Sequence, residues 1–359
     1  MIMPLPPQIN FENPRIFKKL IEAHKHLAEL KGLSQSIPNQ RVLINTLALQ
    51  EAKDSSKIEN IITTHDEVFA TAGSITSNHN PAAKEVVYYG QALQAGYEKL
   101  STQGFITRNT LLHIQEELER NNAGFRKQTG TALVDDRTGE VIYRPPEPQY
   151  IEDLIDNLLA MINDDTLWTV DPLIKMAVIH YQFESIHPFH DGNGRTGRIL
   201  NVLYLVKVGL LDMPVLYLSR FINQNKSEYY RLLQSVRDNG TWEEWVLFIL
   251  EGIARTALTT CRMVASIRDA MNEYKHLIRL KHPTIYSQDL INNLFFYPYT
   301  KIELIQRDLK VSYHTARKYL GLLADDGLLL KTTIWRSSYY INIRLMDILR
   351  NAERESLRL

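Results

Sequence analysis

The sequence predicts a mostly α-helical protein with a small β-hairpin in its middle and a helix-turn-helix plus a second hairpin towards its end. Three observations carry this. Apolar residues recur at intervals of three and four through most of the 359 residues. Only residues 131–143 and 328–341 replace that spacing with short apolar runs bounded by turn-forming residues. The segment Ile186-His187-Pro188-Phe189-His190-Asp191-Gly192-Asn193-Gly194-Arg195-Thr196-Gly197-Arg198 lies between two runs of helical spacing, so helices flank it on both sides.

The bounds come from composition. A chain of 359 residues is long enough for two or three domains with a sizeable core. Lys plus Arg and Asp plus Glu both number 41, so global charge favours no polyanionic partner, although a local basic patch is compatible with it. A single cysteine, Cys261, excludes an intramolecular disulfide framework, and no thiol-rich metal spacing occurs. Met1 to Pro7 lacks the basic and apolar regions of a signal peptide, and the most apolar helical stretch, 245–258, is interrupted by Glu251 and Arg255. The expected location is the cytoplasm.

Taken in order, residues 15–33 and 40–53 read as helices, the second through Leu43, Ile44, Leu47, Ala48 and Leu49. Residues 54–62 have a polar start and a short apolar face, a helix that Ser55 or Ser56 could cap. The Gly/Ser/Asn/Pro cluster at 73–81 is a loop, and helical spacing returns at 82–100 and 109–119. Thr131-Ala132-Leu133-Val134, a turn through Asp135-Asp136-Arg137-Thr138-Gly139, and Glu140-Val141-Ile142-Tyr143 form the first hairpin, closed by Pro145-Pro146. Helices follow at 149–162 and 171–185. The latter has Asp171 as N-cap and Pro172 at its first position, with Leu173, Ile174, Ala177, Val178 and Tyr181 as its buried stripe. His180 there reads as a packing or surface residue.

Residues 199–206 are apolar on nearly all sides, which places that helix in a core, and Gly209 suits its C-terminal cap. Helix 227–239 comes next. Residues 241–280 form one or two long helices whose Trp242, Trp245 and Phe248 close the bundle. Thr300-Lys301-Ile302-Glu303 is a capping-box signature for a short helix ending near Leu309, and Ser312 caps a second helix that Gly327 stops. Strands at 328–333 and 338–341 complete the chain.

The chemistry lies in 186–198. Gly192-Asn193-Gly194 can aim successive N–H groups into one concavity at a helix start, where phosphate binds well. Arg195 and Arg198, three apart, share a face and can fork onto one polyphosphate. Asp191 is the natural magnesium ligand, because magnesium is commonly held by one or two carboxylates plus substrate phosphates. His187, with an ordinary pKa near neutrality, is the candidate general base for a hydroxyl nucleophile, and Pro188 stiffens its turn.

This segment resembles the Fic family motif His-Pro-Phe-x-Asp/Glu-Gly-Asn-Gly-Arg-x-x-Arg at every specified position. The resemblance, covering about 82–262, implies a helical bundle that transfers AMP from ATP to a protein hydroxyl with release of diphosphate. It makes His187 the base, Asp191 the magnesium ligand, and Gly192, Asn193, Gly194, Arg195, Thr196, Gly197 and Arg198 the nucleotide-binding set. Phe189 becomes an apolar plug beneath the loop. Ser55-x-x-x-Glu59-Asn60 resembles the family's inhibitory motif Ser/Thr-x-x-x-Glu-Gly/Asn, with Glu59 taking the place of the ATP γ-phosphate on Arg198. The same carboxylate could instead position water for removing AMP.

By resemblance again, the first hairpin is a flap that positions the target by strand addition, while a plain connecting hairpin fits the residues equally. Tyr230, with Tyr229 second, meets the nucleotide base, although both tyrosines also fit a core. Arg237 stands where some relatives have Asn. Homodimerisation is implied too. The C-terminal elements resemble a winged-helix domain, whose DNA-reading face would hold His314, Arg317 and Lys318, and which also serves protein contacts. The expected organisation is an N-terminal region 1–80 with an inhibitory helix at about 54–62, a catalytic domain 81–282 and a winged-helix domain 283–359. Rival readings are a DNA-binding regulator with a nucleotide-sensing domain, and the same fold using UMP, phosphate or phosphocholine donors.

Overall fold

The computed structural model describes residues 2–72, 80–134, 138–334 and 337–355. Most of the loop expected at 73–81, and Asp135, Asp136 and Arg137 of the hairpin turn, lie outside the described residues.

Near-continuous apolar sequence decides what lies at the centre. Helix α1 (Pro14–Ser34) starts at Asn13, whose side chain accepts from the Arg15 N–H. It is followed by α2 (Arg41–Ile58), α3 (His65–Ala72), α4 (Pro81–Gln103) and α5 (Arg108–Glu119). The flap strands β1 (Leu133–Val134) and β2 (Val141–Tyr143) pair antiparallel, Leu133 opposite Tyr143. Then come α6 (Ile151–Asn163), α7 (Pro172–Ile186), α8 (Asn193–Lys207), α9 (Ser219–Gln224), α10 (Lys226–Asn239) and α11 (Trp242–Lys281). In α7 every residue from Leu173 to Phe183 is buried, so this helix is the axis of the bundle, packed against α8, α6 and α11. Asp171 caps it, accepting from the Leu173 N–H at 2.9 Å, with Pro172 behind. Trp245 of α11 donates its indole N–H to the Ala177 carbonyl at 2.8 Å, fixing the long helix on the axis. The stretch expected as one or two helices is a single helix of 40 residues.

Beyond α11 lie α12 (Gln288–Phe296), β3 (Tyr299–Thr300), α13 (Ile302–Leu309), α14 (Tyr313–Asp325), β4 (Leu329–Ile334), β5 (Ser337–Asn342) and α15 (Ile343–Glu355). The strands form an antiparallel sheet in the order β3-β5-β4. Ser312 caps α14 as expected. This part rests on the bundle through α2 and α11. Asn45 and Thr46 of α2 donate to the carbonyls of Phe296 and Phe295, and Gln50 donates to that of Leu349.

Two expected boundaries are corrected. No separate helix exists at 54–62: α2 continues through Ser55 and Ser56 to Ile58, and Glu59 is its C-cap. Both serines are fully buried, so packing carries the helix through residues that would otherwise favour a break. Thr300 does not cap α13 either. Its hydroxyl donates to the buried Asn293 side chain at 2.7 Å, and the N-cap is Lys301 without a side-chain bond. Helices α3, α9, α12 and α15 were not foreseen.

Asp171→Ala should cost about 1 kcal/mol, the usual worth of an N-cap, while Asp171→Asn retains most of it. Urea unfolding with an unchanged m-value checks this.

Candidate active site

The site forms where α7 ends and α8 begins. His187 is the C-cap of α7 and lies in the left-handed region at φ 50°, ψ 60°, its N–H returned to the Phe183 carbonyl at 3.0 Å. A non-glycine residue there is strained, so surrounding contacts must hold it. Phe189 is fully buried between Phe125 and Phe183, as an apolar plug should be. Gly192 at φ 77° turns the chain into α8, whose first hydrogen bond runs from Thr196 N–H to the Gly192 carbonyl at 2.8 Å.

Burial sets the charge of His187. It pushes the imidazole down to about 4, with Arg126 and Arg237 lowering it further and Glu59 opposing. Its Nδ1 is buried without a hydrogen-bond partner. The ring is therefore neutral at pH 7, the form a general base requires. Asp191 lies open to solvent instead. Its side chain is 78% exposed, meeting its own loop through the Gly192 N–H at 2.7 Å and Arg195 only at 3.7 Å.

The two arginines are buried and meet different carboxylates. Arg198 donates from Nε to Ser55 Oγ at 2.8 Å, and from Nη2 to Glu59 Oε1 at 2.8 Å and the Ser55 carbonyl at 3.2 Å. Burial pushes the Glu59 carboxyl up, but Arg198 outweighs it and holds the group below its usual value. Asn60, at φ 64°, turns the chain directly after Glu59, and its side chain accepts from Lys226 at 3.3 Å. Asparagine tolerates this left-handed conformation, which accounts for Gly or Asn at that motif position. Any side chain at Gly194 would strike Glu59 and Arg198.

Arg195 meets Glu119 at 2.8 Å and Glu85 at 3.2 Å, so it is already tied to α5 and α4 and does not share one anion with Arg198. Other residues expected to bind nucleotide also carry structural contacts. The Asn193 side chain bridges the Phe189 N–H and carbonyl, both at 2.8 Å, and so shapes the loop from within. Thr196 is fully buried in α8, and a Cβ at Gly197 would come within 2.6 Å of Glu184, so the missing side chain at Gly197 lets α7 and α8 approach. Tyr229 is buried with its hydroxyl 2.9 Å from His180, leaving Tyr230, 45% exposed, as the available aromatic surface. His180 is a packing residue stacked on Trp245.

Sequence reasoning missed several groups. Glu51 bonds the Ser219 hydroxyl, the Ser219 N–H at 3.2 Å and the Tyr89 hydroxyl at 3.2 Å, and burial raises it to about 7. Its position four before Ser55 and eight before Glu59 was a readable signal, had one helix been drawn through all three. Burial likewise raises Glu184 to about 7, against the pull of Arg198. Arg237 lies 3.7 Å over the Tyr143 ring of the flap. Arg126 reaches the catalytic loop from before the flap, and nothing in its sequence neighbourhood announced it.

NMR titration should place the His187 transition near pH 4 rather than 6.5. Because the folded state disfavours the charged ring, the stability this group contributes is complete above pH 6.5 and is lost as pH falls through about 4. A transition above pH 6 would overturn the burial argument.

Comparison with known proteins gives matches along most of the chain. Residues 17–98 match the family described as Fic/DOC family N-terminal, 105–205 match Fic/DOC family, and 270–345 match the C-terminal domain of protein adenylyltransferase SoFic-like. A probable protein adenylyltransferase of Aquifex aeolicus is 29% identical over 178 residues, 50% of this chain and 48% of its own. Protein adenylyltransferase fic-1 of Caenorhabditis elegans is 32% identical over 93 residues, 25% of this chain and 17% of its own. The chain thus spans less than half the length of either relative. A crystal structure of a Fic family protein from Desulfovibrio desulfuricans shares the fold with a TM-score of 0.58 at 20% identity, covering 94% of this chain and 98% of that one. On motif, family matches and fold together, the chain belongs to the Fic/DOC family.

Proposed function

We propose that the protein is an adenylyltransferase that moves AMP from ATP to the hydroxyl of a Ser, Thr or Tyr side chain, on another protein or on itself, and that Glu59 restrains it. The observation that carries this is the neutral imidazole of His187 beside a glycine-turned helix start whose arginine, Arg198, is held by a carboxylate. His187 accepts the hydroxyl proton as the oxygen attacks the α-phosphorus, and the bond to the β-phosphate oxygen breaks, releasing diphosphate. The N–H groups at the start of α8 hold phosphate, and Tyr230 offers a face for the base.

Asp191 fits magnesium held jointly by one carboxylate and substrate phosphates, its exposed oxygens facing outward. When bound, the ion supplies neutralisation of phosphate charge. Among the described residues no cluster of three or more acidic, His or Cys ligands forms a protein-only cage.

The inhibitory role of Glu59 rests on its 2.8 Å contact with Arg198, which the ATP γ-phosphate would need. The domain organisation proposed is an N-terminal region that ends in this contact, the catalytic bundle, and a winged-helix unit from about residue 283. Among the described residues no helix is long and apolar enough to cross a membrane.

Intact-mass spectrometry after incubation with magnesium and ATP tests the reading. Glu59→Gly should add AMP roughly tenfold faster or more than wild type, the factor that about 1.4 kcal/mol of released competition represents. Adding His187→Ala should reduce this by about 10²- to 10⁴-fold, the span of general-base catalysis. Unchanged masses in folded, ATP-binding samples would defeat the transferase reading and turn attention to other donors, AMP removal or a regulatory role.

The exposed Tyr313, His314, Arg317 and Lys318 on α14 favour one rival, a DNA-binding regulator. A salt-sensitive, sequence-selective DNA shift without any modification would establish it. Sedimentation decides homodimerisation.

A further inference from the structure

Arg126 is almost fully buried and sits outside the catalytic motif, between α5 and the flap. Its contacts converge on two places. Its backbone N–H donates to the Pro188 carbonyl at 2.9 Å, and its Nε donates to the carbonyl of His187 itself at 2.8 Å. Nη2 donates to the carbonyl of Pro146 and, at 3.5 Å, to that of Ile186, while Nη1 reaches Thr131 Oγ1 at 3.5 Å. Thr131 precedes β1 and Pro146 follows β2. One residue therefore ties both ends of the hairpin to the end of α7 and the loop after it, its guanidinium reaching Ile186 and His187 and its backbone N–H reaching Pro188.

We propose that Arg126 is a positioning residue: it staples the flap to the catalytic loop and holds His187 in the strained, left-handed conformation from which its ring serves as base. Arginine is the side chain suited to this, because its planar fork reaches several acceptors in fixed directions, whereas a lysine ammonium cannot span them. The His187 carbonyl that it grips belongs to the residue at φ 50°, so the contact opposes relaxation of the strain.

The charge acts alongside the geometry. The hydrogen bonds recorded for the guanidinium end on carbonyl or hydroxyl oxygens, and the carboxylate acting on it is that of Glu147. The charged groups acting on His187 are Arg126, Arg237 on α10 and Glu59 after α2, besides the backbone of Glu184 on α7. Arg126 and Arg237 disfavour a second positive charge on the ring, and Glu59 favours it.

The inference rests on the adenylyl-transfer reading, and the test separates the two. In the Glu59→Gly background, transfer by the parent protein tests that reading. His187 NMR titration tests the staple whether or not transfer is seen. Arg126→Met should lower kcat by about 10²-fold, the loss a 1 Å misplacement brings, with KM for ATP unchanged. It should also shift the acid limb of the rate profile, and the NMR transition, to higher pH. Arg126→Lys should leave kcat low but hold both transitions at the parental pH, dividing charge from geometry. A folded Arg126→Met with parental kcat and parental transitions would overturn the proposal, and so would full activity in Arg126→Lys. Should Arg126→Met fail to fold, Arg126→Lys decides alone: low kcat with unchanged transitions supports the staple, and parental kcat overturns it.

Discussion

The structure is organised by the need to partner two guanidinium groups buried at the start of a core helix. Helix α8 is apolar along its body, so packing it against α7 drags Arg195 and Arg198 out of water with it. A buried cation without a counter-charge costs several kcal/mol, and a partner must be found within the fold. Arg195 finds Glu119 and Glu85, which fixes the ends of α5 and α4 against the loop. Arg198 finds Ser55 and Glu59 at the end of α2. These two arginines are thus the anchors of the N-terminal half of the fold.

Helix α2 transmits that demand outward. One face carries Glu51, Ser55 and Glu59 towards the core, where Glu51 meets Ser219 and Tyr89, and Asp54 pairs with Arg220 at 2.9 Å. Asn45, Thr46 and Gln50 bond the C-terminal helices. Moving Glu59 off Arg198 by shifting the helix would disturb all of these contacts. Moving only the residues after Ile58 would not, because Glu59 lies at the C-cap and Asn60 already leaves the helix. The short turn at 59–60, held by Lys226 on the Ile58 carbonyl at 2.6 Å, is therefore the cheapest place for release.

How much of this could be read from residues alone follows from how local each cause is. The α7–loop–α8 unit was legible because its signals are contiguous: an N-cap and proline at Asp171-Pro172, apolar helices and three glycines. The caps that failed, Thr300 and Ser55 or Ser56, failed because a tertiary partner took the side chain, Asn293 in one case and Arg198 with the core in the other. Tyr229 and Tyr230 looked equivalent in sequence, and only the position of His180 and Trp245 buries one and exposes its neighbour. Thr196, Gly197 and Asn193 sat in the motif and so were assigned to the ligand, yet their side chains, or the lack of one, serve the helix crossing and the loop interior. Helices α3, α9, α12 and α15 are short or terminal, and their stability comes from packing more than from propensity. Arg126 could not be found at all, because the residues it holds around His187 lie some 60 positions away.

Electrostatics joins the parts into one device. His187 must be uncharged to accept a proton, and burial with two nearby guanidiniums keeps it so against the opposing pull of Glu59. With Glu59 in place the ring still titrates near 4, so in the proposed reading the carboxylate acts on the donor site through Arg198 and leaves the base uncharged. In that reading its departure frees the guanidinium for phosphate, while His187 stays neutral throughout. In that reading a single acidic residue at a helix end controls the phosphate-binding arginine alone, through a contact that the turn at residues 59–60 can release without moving the base.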